Sequence, residues 1–263
     1  MRIVLTAYDR PEFLKETIRT LNAAQEHLEG GYVPVHVYVD LHDDHEVHND
    51  VIEATEGILG IDEIVLRRDN YGGSRNNAMA LAETYRLTGD NDLIYLESDV
   101  VVANGFLSWM RNISNAMGEH NNIMQFSAGH PAISRTEHGC VLAQWPSSIG
   151  VMFNMRNMAF FLDRIDQYID DPNGTALGLR DLVAGNMVHR MYTGDTYFNH
   201  AWGGMLALNM GMTNTYCLHS TPPRACHIGW HGWHLNKASQ EAKGITRPED
   251  HAQYTKGFSE STI

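Results

Sequence analysis

The sequence predicts an α/β fold built on one mostly parallel sheet with helices on both faces. Short apolar runs alternate with amphipathic helical stretches through the first hundred residues. Such alternation with short connections gives parallel strands covered by helices. Polar clusters fall where the apolar runs stop, at Thr6 to Arg10, at Asp40 to Asp44 and at Glu97 to Asp99. Open α/β sheets bind ligands outside the carboxyl ends of their strands, so these clusters mark a site as well as a fold.

Ile3-Val4-Leu5 reads as the first strand. A helix over residues 11–27 follows, with Asp9 as N-cap, Pro11 in the first turn, and Phe13, Leu14, Thr17, Ile18 and Leu21 on one face. Val35–Val39 is the second strand and ends at Asp40. Next come a charged segment, a helix over 49–59 and a third strand over 63–66. Residues 74–87 form a helix with Met79, Leu81 and Ala82 for packing, and Leu93-Ile94-Tyr95-Leu96 is the fourth strand, ending at Glu97. The second half is less regular and rich in Met, Asn, Gly and His. Strands are expected there over 123–127, 149–154 and 212–218, and helices over 158–169, 179–191 and 197–208. No repeat or linker interrupts the chain, so it reads as a single domain with halves at 1–103 and 104–235 and a polar tail over 236–263.

The 263 residues can bury a sizeable core. A hydrophobic content of 43% with 19% charged residues is that of an ordinary globular protein, so disorder is not the starting assumption. The net charge of -13 argues against non-specific binding to nucleic acid backbones, which needs a basic surface. An acidic cleft instead needs a divalent cation before it accepts a phosphorylated substrate. The apolar run after Met1-Arg2 is too short for the core of a signal peptide, and no stretch reaches the length of a membrane span. Cys140, Cys217 and Cys226 are few, odd in number and scattered. They suit a reducing cytoplasm better than a disulfide framework.

Glu97-Ser98-Asp99 stands between two apolar runs. Buried carboxylates need a partner or a cation, and the first and third residues of such a turn can face one divalent ion shared with a diphosphate. The competing reading makes them caps of a helix starting at Asn104. In Asn70-Tyr71-Gly72-Gly73-Ser74-Arg75-Asn76-Asn77-Ala78, two glycines permit close backbone approach, and a helix starting at Ser74 aims amides at an anion. Arg75 then pairs with phosphate; alternatively, this is a surface turn capped by Ser74. The run Cys226-His227-Ile228-Gly229-Trp230-His231-Gly232-Trp233-His234 suggests zinc, but its glycines disfavour a helical His pair and no second Cys pair is near. His42-Asp43-Asp44-His45-Glu46-Val47-His48 reads as a solvated loop at the mouth of the site. His130-Pro131 and Trp145-Pro146 read as loops of the second half.

Together these stretches resemble the GT-A-fold glycosyltransferases, a Rossmann-like fold, and especially the family 2-like inverting enzymes. The family's opening is similar to Val4 through Leu14, with its Arg10-Pro11 leading into the first helix. Its Asp-x-Asp motif is matched by Glu97-Ser98-Asp99, with Glu in the first place. Its second-strand Asp is matched by Asp40, its Asn-Gly loop and Arg-Asn helix start by residues 70–78, and its late His-x-Gly by His227-Ile228-Gly229. The match covers about the first 110 residues well and the rest in patches.

The resemblance implies a metal-dependent hexosyl- or pentosyltransferase that uses a nucleotide-diphosphate sugar and inverts the anomeric centre. It implies Mn²⁺ or Mg²⁺ at Asp99 and His227, with His231 or His234 as alternatives. Thr6, Tyr8, Arg10 and Asp40 would hold the nucleoside, Arg75 the phosphates, and Glu97 and Ser98 the donor. Asp195, before a helical stretch, would be the general base; it also suits an N-cap, and Asp181 is the fallback. Trp230 and Trp233 could stack on a sugar or base. The acceptor stays open between a small molecule, a glycan, a protein side chain and a hydroxymethylated base of viral DNA. The rivals are a nucleotidyltransferase and a non-catalytic nucleotide-sugar-binding protein. The first usually needs a Gly-rich loop and a Lys after the first strand, which Thr6 through Pro11 lacks.

Overall fold

In the computed structural model, the residues described are 1–129, 139–144, 146–158, 161–162, 165, 202–229, 238, 241–242 and 258–261. Ile3, Val4 and Leu5 have no exposed surface, as a strand covered on both faces requires. They belong to β1 (Arg2–Ala7), which runs parallel to β2 (Val35–Val39) on one side and to β4 (Asp92–Glu97) on the other. β3 (Ile61–Leu66) pairs in parallel with β2 at the sheet edge. Beyond β4 the sheet continues through β8 (Val151–Asn154), β6 (Ile123–Ser127), β9 (Tyr216–Thr221) and β7 (Gly139–Ala143). β8 opposes both its neighbours and β7 opposes β9, while the other strands share one direction. The predicted mostly parallel sheet flanked by helices is therefore present as a single unit.

The period of two sends alternate residues of each strand to opposite faces. Ile3, Leu5, Val37 and Val39 pack under α1 (Pro11–Glu26) and α4 (Phe106–Met117), through Leu14, Ile18, Phe106 and Leu107. Val4, Tyr38 and Tyr95 pack on the other face, under α3 (Gly73–Thr88) and α5 (Trp202–Thr213), with Leu81, Phe153 and Trp202. Among the described residues, no helix is long and apolar enough to cross a membrane. All three cysteines are free thiols.

Several boundaries differ from expectation for local reasons. α2 spans His45–Thr55 because the Asp44 carboxylate accepts from the Glu46 and Val47 amides, so the end of the supposed loop is the first turn of a helix. Arg10, not Asp9, is the N-cap residue of α1, and Pro11 supplies the preset first turn. Gly72, not Ser74, occupies the N-cap of α3. α4 starts after Gly105 with no side chain on its first amides, so Glu97 and Asp99 are not its caps. The strand expected over 212–218 starts at Tyr216, because α5 runs on to Thr213.

One element was not expected. β5 (Val100–Val102) pairs antiparallel with β10 (Ala225–His227) in a small separate ribbon. α1 holds this ribbon by two buried hydroxyls. Thr17 Oγ1 donates to the Ser98 carbonyl at 2.9 Å, and Thr20 Oγ1 accepts from the Val102 amide at 3.1 Å. Residues 258–261 pack against both the ribbon and α1. Phe258 packs on Phe13, Val101, Cys226 and Ile228; the Glu260 carboxylate pairs with Arg19, and its carbonyl accepts from the Asn104 amide.

Thr17→Val keeps the shape but orphans the buried Ser98 carbonyl, which costs about 1–3 kcal/mol. Urea unfolding should show a lower midpoint at an unchanged m value, with Thr17→Ser close to wild type. A midpoint unchanged in Thr17→Val would mean that α1 does not hold this turn.

Candidate functional site

Two distant stretches meet to form the centre of the site. β4 ends at Glu97, the chain turns through Ser98 and Asp99, and β5 follows at once. In the ribbon His227 lies opposite Val100, and the Ile228 amide donates to the Asp99 carbonyl at 2.8 Å. His227 Nε2 thereby comes within 3.2 Å of Asp99 Oδ2, and Arg10 Nη2 reaches the same oxygen at 2.8 Å. The backbone of Gly229 presses against Asp99 and Arg10 so closely that a Cβ there would overlap both side chains. Any larger residue there would have to displace the Asp99 carboxylate or the Arg10 guanidinium.

Asp99 is 2% exposed, and its second oxygen, Oδ1, is buried with no hydrogen-bond partner. An unmatched carboxylate oxygen is costly to bury. It is also a hard anionic donor beside an imidazole nitrogen, and that chemistry suits Mn²⁺ or Mg²⁺. Among the described residues, no three His, Cys, Asp or Glu side chains converge on one point. Asp99 and His227 therefore fit an ion whose shell is completed by substrate phosphates and water, the usual arrangement for Mg²⁺.

The two acids of the motif lie in different fields. Burial pushes the Glu97 carboxyl up to about 7, and the Asp99 charge adds to the rise. Burial acts on Asp99 in the same sense, but the His227 and Arg10 charges outweigh it and hold this carboxyl at about 2. Burial disfavours charge on His227, yet Asp99 and Glu97 raise its pKa overall. Glu97 hydrogen-bonds the Tyr95 hydroxyl, which is 3.1 Å from Thr6 Oγ1. Asp99 thus stays ionised near neutral pH, where Glu97 can still hold a proton.

A second group lies at the carboxyl end of β2. The Asp40 carboxylate, 1% exposed, accepts from the amides of Tyr71 and Gly72 at 2.8 Å each and of Leu41 at 3.1 Å. Burial still raises its pKa despite these bonds. Asn70 accepts from the Gly72 amide and donates to the Tyr8 hydroxyl, whose ring faces His42 at 5.0 Å. Gly72 takes a φ of 73°, and α3 starts beyond it with no side chain capping its first amides. The Tyr71 ring is approached by two guanidinium groups, Arg75 at 4.4 Å and Arg67 at 5.0 Å. Arg67 is itself held by Asn76, Glu83 and the Tyr38 ring.

The structure therefore brings Arg10, Glu97, Ser98, Asp99 and His227 together and links Thr6 to them through Tyr95. It gathers Tyr8, Asp40 and Arg75 around the Tyr71 loop. Arg10 turns to Asp99 and Asp40 to the loop amides, contacts that the sequence pattern did not indicate. Asp195, Asp181, His130, Pro131, Trp145, Trp230, His231, Trp233 and His234 lie outside the described residues. Sequence reasoning missed Tyr95, Tyr71, Arg67 and Thr17 as supporting residues. Tyr71, set between Asn70 and Gly72 in a recognised loop, carried the clearest signal.

No family model matches the chain, and no curated protein matches it. Solved structures resemble it distantly. TarS of S. aureus, residues 1–349, is 12% identical over 85% of this chain and 58% of its own, with a TM-score of 0.47. The mannosyltransferase PcManGT of Pyrobaculum calidifontis, in complex with GDP-Man and Mn²⁺, is 11% identical over 60% of this chain and 46% of its own, at 0.42. A cytidylyltransferase of Leptospira borgpetersenii is 9% identical over 63% of each chain, at 0.39. The chain thus spans less than two thirds of the length of each of these structures. Likenesses this distant do not decide function, and the functional reading rests on the site.

The elevated Glu97 pKa has a consequence for stability. The folded protein holds this proton up to about pH 7, whereas an unfolded carboxyl releases it near 4.5. Metal-free stability therefore falls on this account as pH rises between those values. Urea unfolding in EDTA should find Glu97→Gln level with wild type near pH 4 and increasingly more stable than it towards pH 8. A difference that does not change with pH would show that Glu97 ionises normally. Asp99 acts in the opposite sense and lower down, since its contribution is lost as pH falls from about 3.8 towards 2.

Proposed function

We propose that this chain transfers a hexosyl or pentosyl group from a nucleotide-diphosphate sugar to an acceptor hydroxyl, with inversion and with Mn²⁺ or Mg²⁺ at Asp99 and His227. One observation carries the reading. Asp99, at the carboxyl end of the central parallel strands, is kept ionised beside His227 with one buried oxygen left unmatched. A divalent ion held there would neutralise the charge that develops on the departing diphosphate.

The chain's own groups divide the remaining work. Arg10 balances the charge of Asp99 and stacks on Phe13 at 5.4 Å, which fixes the orientation of the charged pair. Arg75, whose Nε is buried without a partner, and the uncapped amides of α3 would receive the phosphates. Tyr8 and the loop tied down by Asp40 would flank the nucleoside, with residues 1–103 as the donor half and 104–235 as the acceptor half. Asp195 would take the proton of the acceptor hydroxyl on the side opposite the leaving diphosphate, which is the arrangement that inversion needs.

A thermal-shift screen of nucleotide-diphosphate sugars with and without Mn²⁺ tests the reading. A donor at about a hundred times its Kd should add about 2.7 kcal/mol of stability, and only when metal is present. Asp99→Asn should lose that shift and slow transfer about 100-fold or more, as expected from the loss of several kcal/mol of charge stabilisation. Metal-dependent transfer at a near-normal rate in Asp99→Asn would remove the assignment, and so would a screen with no metal-dependent shift.

A further inference from the structure

Arg224 differs from the arginines that pair with acids around the sheet. Arg2 pairs with Asp62 and Asp90, Arg10 with Asp99, and Arg67 with Glu83. Arg224 is 7% exposed, and its Nε and Nη1 are buried with no hydrogen-bond partner. Among the described residues, no carboxylate faces it, and the titratable group within its field is the Cys140 thiol. A guanidinium cannot shed its proton to escape this situation. A buried cation with open donors and no acid beside it is costly on its own, and it matches an oxyanion that arrives from outside.

Its position indicates which anion. The Arg224 carbonyl accepts from the Ala103 amide, one step beyond the Ala225–Val102 pair, so Arg224 immediately precedes the strand that carries His227. The two residues are three positions apart, roughly 10 Å at about 3.3 Å per residue. The Arg224 amide donates to the Ala128 carbonyl just past the end of β6, across β4 and β8 from the strands beside the Tyr71 loop. Arg224 therefore serves a different part of the substrate pair from the diphosphate groups near Arg75. The chain as a whole carries a net charge of -13, and that field repels anions. A sheltered guanidinium fork is the kind of group that can still select one.

We propose that Arg224 binds a phosphate, sulfate or carboxylate group carried by the acceptor, so that the sugar is transferred to an anionic compound. The inference rests on the glycosyl-transfer reading for the word acceptor; the anion site itself does not.

Cys140 supplies the readout. It is exposed, while Cys217 and Cys226 are buried, so iodoacetamide should alkylate Cys140 selectively. Burial raises the pKa of the Cys140 thiol and the Arg224 charge opposes that rise, so an anion on Arg224 would shield the thiol and raise its pKa further. The full chain is alkylated at constant ionic strength with increasing inorganic phosphate, sulfate or acetate, both alone and with UDP or GDP plus Mn²⁺ occupying the donor site. At least one anion should slow Cys140 alkylation several-fold and saturably in wild type, and the effect should vanish in Arg224→Met. Arg224→Lys, which keeps the charge without the fork, should weaken the anion at least tenfold and serves if the Met variant does not fold. No protection by any of the three anions, or equal protection in both variants, overturns the proposal. Anion protection without any nucleotide binding would leave the Arg224 site standing and remove the transfer reading, whereas nucleotide binding without protection would do the reverse.

Discussion

The pairing of β5 with β10 is the interaction on which the site depends. Three residue pairs of antiparallel ladder place His227 beside Asp99, and the following turn presses Gly229 against the same carboxylate. So short a ribbon cannot stand alone. It is supported by α1, through Thr17 and Thr20, and by residues 258–261, through Phe258 and Glu260. The geometry at Asp99 is therefore a property of the whole fold.

The parallel half of the sheet was legible in the sequence because each strand is a continuous apolar run bounded by polar turns. β1, β2 and β4 are buried on both faces and read clearly. β3 was placed two residues late, since its exposed edge position weakens the apolar signal. The β5–β10 ribbon was not legible. Three-residue strands have no measurable period, and their pairing joins segments far apart in the chain. The acids of the site announced themselves by standing between apolar runs. Their partners did not, because Arg10 and Tyr95 meet them only through folding. The glycine of His227-Ile228-Gly229 was visible as a pattern, but its reason, the space taken up by the Asp99 carboxylate, required coordinates.

The charges of the site are arranged in opposition. Asp99 is surrounded by cations and stays ionised, while Glu97, two residues earlier, is pushed towards neutrality by burial and by Asp99 itself. Around Asp40 the arrangement is one of stacking, with Arg67 and Arg75 both against the Tyr71 ring and the Tyr71 backbone tied to Asp40. An acidic protein thus presents cations in a few sheltered places, each with its orientation set by an aromatic ring or a carboxylate, apart from Arg224.

The clasp around the ribbon also sets an order of assembly during synthesis. The contacts that join β1 through β4 to one another lie within the first hundred residues, so these strands are made before their partners from the second half. Asp99 then waits for His227, which follows on the order of ten seconds later at cellular elongation rates, and the Phe258 contact comes later still. Arg10 precedes Asp99 in the chain and already belongs to the part that is made. In order of synthesis the carboxylate therefore follows its arginine and precedes its histidine.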